Sequence, residues 1–203
     1  MSIENDAKIR RRNSAGKTAR PVLLVDVVGA LAHVSGLVVL VTGGASGIGR
    51  IMCLRFSRLE CKVVTWDVDA EGNEETVNMI RSEGGTAHAY QVDLCNREEI
   101  YETAKRVEEE VGKVTILVNN AGVMTGKRLL DCSDDAIRRT INVNAVAHLW
   151  TTKAFLPGML ERGQGHVVTI ASLAGFWGIN RLVDYCVSKF AVIGFDEALR
   201  TEL

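Results

Sequence analysis

The chain has 203 residues, with 24 Lys plus Arg against 25 Asp plus Glu and a formal net charge of −1. Hydrophobic residues make up 47% and charged residues 24%, which excludes a disordered or fibrous chain, and the near-zero charge gives no electrostatic basis for binding nucleic acid. Five cysteines (Cys53, Cys61, Cys95, Cys132, Cys186) include no C-x-x-C pair and sit in apolar or helical stretches. Buried reduced thiols are therefore expected, not a disulfide framework or a metal site.

Residues 1–35 form a leader. Its first 20 residues are polar and basic, with Lys8, Arg10, Arg11, Arg12, Lys17 and Arg20 against Glu4 and Asp6. An apolar run, VLLVDVVGALA at 22–32, follows and is broken by Asp26. A helix needs about 20 residues to cross a hydrocarbon core, so this run is too short to span one. Two readings stay open: a loosely packed leader helix, or a membrane-surface anchor with its basic residues near anionic head groups.

Residues 36–203 alternate short apolar runs with amphipathic segments. LVVLV (37–41), VVTW (63–66), AYQV (89–92), TILV (115–118) and HVVTI (166–170) read as strands buried on both faces. Between them, Ile100, Ala104, Val107 and Val111 recur at helical spacing. Ser133 or Asp134 is placed to cap a long helix through Leu149 to Leu160, which Pro157 would bend or stop. Strand–helix repetition of this kind predicts an α/β domain with a doubly wound parallel sheet, and no boundary falls inside 36–203.

The first strand ends in Thr42-Gly43-Gly44-Ala45-Ser46-Gly47-Ile48-Gly49, and a helix opens near Arg50. Glycines at 43 and 47 would let the backbone approach a pyrophosphate, and Gly49 would let helix and strand pack closely. The free N–H groups of the helix start suit phosphates, so the turn predicts dinucleotide binding. Asp67 ends the second strand, 18 residues beyond Gly49. A carboxylate there can accept both hydroxyls of an adenosine ribose and would repel a 2′-phosphate. Neither Ser46 nor Val68 supplies a positive charge, so NAD is favoured over NADP.

A third constellation is Ser172, Tyr185 and Lys189. Tyr185-Cys186-Val187-Ser188-Lys189 sets a phenol and an ammonium at i, i+4 on one helix face. A tyrosine of ordinary pKa, about 10, is a poor base at neutral pH, and a cation beside it stabilises the phenolate. Ser172 follows the last strand and can hydrogen-bond a substrate oxygen.

TGGASGIG (42–49), Asp67, Asp93 in VDL, NNAG (119–122), Asn144 in NVN, Ser172 in IAS and YCVSK (185–189) occur in the order found in the short-chain dehydrogenase/reductase superfamily, which residues 36–203 resemble. The resemblance implies an NAD(P)-binding Rossmann fold. It implies Tyr185 as catalytic acid/base, Lys189 lowering its pKa and holding the nicotinamide ribose, Ser172 orienting the substrate oxygen, and Asn144 holding a water behind the lysine. For the cofactor it implies contacts at Gly43, Ser46, Gly47, Ile48, Gly49 and Asp67, at Asp93 and Leu94 near the adenine, and at Asn120, Ala121 and Gly122, with no metal.

GNEET (72–76), VMTGKRLLDC (123–132) and AHLWTTKAFLPGM (147–159) resemble the retinol dehydrogenase and 17β-hydroxysteroid dehydrogenase group, whose members carry an N-terminal anchor to the endoplasmic reticulum or lipid droplets. That implies a lipid-like alcohol substrate, a homodimer built on the helices near 134–160 and 183–203, and a place on such a membrane surface facing the cytoplasm. If the leader does not anchor, the cytoplasm is implied instead. Family members continue through further strands after the helix carrying Tyr185, so the chain as given is expected to lack the last strands and one wall of the pocket. Two functions follow as expectations: an NAD-linked alcohol dehydrogenase, or a non-catalytic form that binds cofactor weakly or pairs with an intact relative.

Overall fold

The computed structural model describes residues 34–203, so both readings of the leader fall almost wholly outside the described residues. Five strands, β1 (Val38–Thr42), β2 (Lys62–Asp67), β3 (Thr86–Gln91), β4 (Val114–Asn119) and β5 (His166–Thr169), pair in parallel in the order β3-β2-β1-β4-β5. Six helices connect or flank them: α1 (Gly47–Arg58), α2 (Ala70–Ser82), α3 (Arg97–Glu110), α4 (Asp134–Ile141), α5 (Ala147–Arg162) and α6 (Val183–Glu202).

The unbroken apolar runs are explained by two cores, one on each face of the sheet. Leu40, Val64, Trp66 and Leu117 pack against Ile100 and Val107 of α3 and Phe155 and Met159 of α5. Val39, Val41, Val63 and Val118 face the other way, onto Cys53 of α1 and Val77 and Ile80 of α2. Successive side chains of a strand point to opposite faces, so a strand covered on both sides is apolar at every position. All five residues of β1 are buried accordingly.

Three local expectations are revised. β3 begins at Thr86, ahead of the run at 89–92, because an edge strand tolerates Thr86 and His88 so long as its ladder with β2 forms. The long helix from Asp134 is three segments in series: α4, a π-helical turn at Asn142–Val146, and α5. Ser133 caps α4, its Oγ accepting the Ala136 N–H at 3.3 Å. Pro157 lies inside α5 without stopping it, and the helix runs on to Arg162 before Gly163 closes it at φ +61°. Third, not all thiols are buried: Cys53, Cys61 and Cys186 are, but Cys95 is exposed and Cys132 half-buried, since both lie in the loops at the strand ends.

Because every strand is parallel, all C-terminal ends lie along one edge of the sheet. The chain leaves β1 toward β2 on one side and returns as β4 on the other, opening a crevice between β1 and β4 at that edge. Ligands of doubly wound sheets bind at such a reversal.

Candidate active site

The glycine turn after β1 lies in that crevice and is braced from four sides. Asn120, just beyond β4, donates from its amide to the carbonyls of Thr42 (2.8 Å) and Gly43 (3.3 Å), while Thr42 Oγ1 accepts the N–H groups of Asn120 and Ala121. From α2, Thr76 Oγ1 donates to the Gly44 carbonyl at 2.8 Å. Arg50 hydrogen-bonds the Ala45 carbonyl and also reaches Gly72 O (3.2 Å), Glu75 (2.7 Å) and Thr76 Oγ1 (3.0 Å). At the end of β2, Asp67 accepts the Ala45 N–H at 3.0 Å through one oxygen and the Asp69 N–H at 3.1 Å through the other.

The glycines do different work. A Cβ on Gly43, whose φ is +73°, would come within 2.8 Å of Ala121 Cα, and one on Gly49 would lie 1.9 Å from the Gly43 carbonyl oxygen. Gly49 thus permits the turn to fold onto its own helix. At Gly47, φ +52°, nothing lies within 4 Å, so this is the position that leaves room for a ligand. Ser46 caps α1 without a side-chain hydrogen bond, leaving the first-turn N–H groups at Gly47, Ile48 and Gly49 to meet a phosphate. The residues present therefore fit a dinucleotide.

At the other side of the crevice, Lys189 of α6 is 3% exposed and donates from Nζ to the Ile170 carbonyl at 2.7 Å, just past β5. Nζ stands 5.6 Å from the centroid of the half-buried Tyr185 ring. Burial pulls the Lys189 ammonium below its ordinary pKa. Ser172 caps the short turn Leu173–Gly175, its Oγ accepting the Ala174 N–H at 3.1 Å. That bond leaves the serine's own hydrogen free to donate elsewhere.

Asn144 occupies the π-helical turn, fully buried. Its amide accepts the Val123 N–H at 2.8 Å and donates to the Val123 carbonyl at 2.8 Å and to Ser188 Oγ at 3.1 Å. The side chain thus ties the loop after β4 to α6. π-helical turns of this kind are frequent at functional sites. Asp93 is exposed and caps its own turn through the Cys95 N–H at 2.9 Å, whereas the Leu94 side chain is in the core, so only its backbone can face a cofactor. Gly122 stands beside Asn144, 3.6 Å from a built Cβ.

Sequence reasoning missed Arg50, Thr76 and Gly44. A Cβ on Gly44 would sit 1.7 Å from Thr65 Oγ1. The only signal for Arg50 and Thr76 was their position on the first two helices, which gives no hint of a shared target. Asp184 was also missed: it is buried beside Tyr185 and both its oxygens accept from Thr125 Oγ1, at 3.0 and 3.1 Å, tying the loop after β4 to α6.

The sequence pattern of the family described as short chain dehydrogenase matches residues 37–203. The chain belongs to that family. Human epidermal retinol dehydrogenase 2 is 50% identical over 171 residues, 84% of this chain and 55% of its own length. Human 17-beta-hydroxysteroid dehydrogenase 13 is 49% identical over 170 residues, covering 84% of this chain and 57% of its own. The chain therefore spans about half the length of the curated relatives it matches. Among solved short-chain dehydrogenases, one from Burkholderia phymatum in complex with NAD superposes with a TM-score of 0.81 at 32% identity, over 84% of this chain and 61% of that one. A metagenomic short-chain oxidoreductase in complex with NADP gives 0.80 at 32% identity, over 84% and 77%.

Among the described residues, no three or more metal-ligating side chains cluster, and no helix is long and apolar enough to cross a membrane.

Proposed function

We propose that this short-chain dehydrogenase oxidises a lipid-like alcohol of the retinol or steroid class, with Tyr185 as acid/base and NAD as cofactor. One observation carries the reading: the buried Lys189 ammonium, fixed by Ile170 O, stands at the Tyr185 ring on the sheet edge that also holds the glycine turn.

The nicotinamide, when bound, supplies the two-electron acceptor. Tyr185 takes the hydroxyl proton of the alcohol, because the adjacent positive charge stabilises the phenolate. Ser172 donates its free hydrogen to the substrate oxygen and orients it. Asn144 fixes Val123 and Ser188, which sets the height of α6 against the crevice. Gly47, Ile48 and Gly49 meet the pyrophosphate with their N–H groups. Asn120, Ala121 and Gly122 support the cofactor beside them.

Asp67 selects NAD. Its carboxylate is held in place by two backbone N–H groups and retains lone pairs for the ribose hydroxyls, while a 2′-phosphate would meet negative charge. Arg50 is the nearby cation, and its guanidinium is already committed to Ala45, Gly72, Glu75 and Thr76. The substrate class rests on resemblance to the two relatives and on the exposed apolar residues after Ser172, namely Leu173 (67%), Phe176 (61%), Trp177 (65%) and Ile179 (43%). The same resemblance supports a homodimer through α5 and α6, where Leu149, Val187 and Phe190 are exposed, and a place on the cytoplasmic side of the endoplasmic reticulum or lipid droplets.

Side-by-side oxidation assays on the intact protein, with retinol and a 17β-hydroxysteroid against NAD and NADP, test the reading. NAD-dependent turnover of either alcohol is expected. Turnover confined to short polar alcohols, or a preference for NADP, would overturn the substrate class or the cofactor choice respectively.

A further inference from the structure

Behind Lys189, between the end of β4 and β5 on one side and α5 and α6 on the other, runs a seam of buried polar groups that the proposed chemistry does not use. Asn119 accepts from Thr151 Oγ1 at 2.7 Å and donates to Thr152 Oγ1 at 3.5 Å. Its register partner Thr169 precedes Ile170, whose carbonyl holds the lysine. One turn before Thr151 on α5 lies His148, 3% exposed, with Phe195 of α6 edge-on at 6.2 Å between ring centroids. Two buried atoms here have no hydrogen-bond partner among the described residues: His148 Nδ1 and Thr169 Oγ1. Buried polar atoms left without a protein partner are as a rule met by ordered water.

We propose that a buried water on His148 Nδ1 joins this ring to the Lys189 ammonium, which makes His148 a positioning residue for the lysine. The inference rests on the role given to Lys189 above. The donors and acceptors balance. Lys189 has three N–H groups and spends one on Ile170, so one can donate to the water oxygen. One hydrogen of the water then goes to the Nδ1 lone pair. The arrangement needs a neutral imidazole carrying its proton on Nε2. Burial, assisted by the Lys189 charge, lowers His148 to about 4 and keeps it neutral. Lys189 is the charged group facing the ring; Asn119, Thr151, Thr152, Thr169 and Phe195 carry none.

Nitrogen-15 NMR of histidine-labelled protein tests this directly, with the His148 signals assigned by their loss in His148→Asn. An Nε2–H tautomer, with Nδ1 shifted as an acceptor and no titration between pH 5 and 8, is expected. An Nδ1–H tautomer, or titration near 6.5, would overturn the proposal. A crystal structure with an ordered water within hydrogen-bond distance of Nδ1 would support it, and a dry Nδ1 would overturn it.

In turnover, His148→Leu should lower kcat roughly tenfold with the KM for cofactor unchanged, the loss of about one hydrogen bond. His148→Asn, which keeps an acceptor near the Nδ1 position, should recover most of it. Equal losses in both variants would count against the water link. If Tyr185→Phe keeps full turnover, the functional reading fails while the tautomer result still stands or falls by itself.

Discussion

The two sides of the crevice are built differently. On the β1–α2 side, the glycine turn is held by side chains from four places, with Asn120 beyond β4, Thr76 of α2, Arg50 of α1 and Asp67 of β2 each bonding its backbone. On the β5–α6 side, Lys189 is fixed by one hydrogen bond to Ile170, Ser172 caps a three-residue turn, and the residues that follow expose aromatic surface. A phosphate-binding turn must present several N–H groups in one fixed geometry, so its bracing is redundant. On the proposed reading, the other side needs one phenol, one cation and one hydroxyl in place, together with a surface able to receive an apolar molecule. The fold can tolerate a looser rim there.

The largest effect that would test this contrast lies on the lightly braced side. Tyr185→Phe should lower turnover by about a thousandfold or more, through loss of the proposed acid/base, while cofactor affinity by fluorescence titration stays nearly unchanged. A drop in cofactor affinity of comparable size would mean the two sides are not separable.

The braced side should fail in the opposite way, through stability. Gly44→Ala places a Cβ 1.7 Å from Thr65 Oγ1, inside two packed layers. Overpacking at such a site should cost about 3 kcal/mol, read from urea denaturation. Gly47→Ala meets no neighbour and incurs only a backbone cost of about 1 kcal/mol at its positive φ, yet it should weaken cofactor binding more than Gly44's clash would suggest. If the two variants are equally destabilised, the division of labour among the glycines is wrong.

Acid offers a third test, on the seam behind Lys189. His148 has a folded pKa of about 4 against an ordinary 6.5, because burial and the Lys189 charge both oppose its protonation. Below 6.5 the unfolded chain binds more protons there than the folded one, so stability falls as pH drops from 6.5 toward 4. The full loss is about 3 kcal/mol at pH 4, and nothing is lost at pH 7. His148→Asn should flatten that limb when the two proteins are compared by denaturation at each pH. An unchanged slope would show that some other group carries it.

Much of this was legible in the chain itself. Both-face burial wrote β1, β2 and β4 into the sequence as apolar runs. β5, an edge strand expected to be buried on both faces, has an exposed His166 and only half-buried residues after it. The glycine turn, Asp67 and the Tyr185/Lys189 pair stand out by spacing. The start of β3 did not, since edge pairing needs only a ladder and leaves Thr86 and His88 free of the apolar rule. Arg50, Thr76 and Asp184 were invisible for a different reason. Their partners lie 26 to 59 residues away in contacts such as Arg50–Thr76 and Thr125–Asp184, and a polar residue does not disclose its distant partner. The π-helical turn at Asn144 was hidden because its residues read as ordinary helix.

Asp67 gives a smaller effect, on the braced side. Asp67→Ser removes the proposed ribose acceptor and, with it, the charge proposed to repel a 2′-phosphate. The NAD dissociation constant should rise about tenfold or somewhat more, the value of a hydrogen bond to a charged group, with NADP affected less or improved. A parallel loss for both cofactors would place Asp67 in the bracing alone, through its bonds to Ala45 and Asp69.

The smallest expected change in stability is the one that bears most on the open rim. Phe176 and Trp177 are 61% and 65% exposed, with their ring centroids 6.4 Å apart. The backbone beneath them is held separately: Cys186 Sγ accepts the Ile179 N–H at 3.3 Å, and Gly175 packs closely on the Lys189 carbonyl. Trp177→Ser and Phe176→Ser therefore remove surface without removing support, and should change unfolding stability by no more than about 0.5 kcal/mol. If the rim receives an apolar substrate, the same variants should raise KM for retinol several-fold and leave kcat for a short alcohol untouched, because uniform binding to the remote part of the substrate is what they lose. A melting temperature that falls together with activity on every alcohol would instead make the rim part of the framework, and the contrast between the two sides of the crevice would not hold.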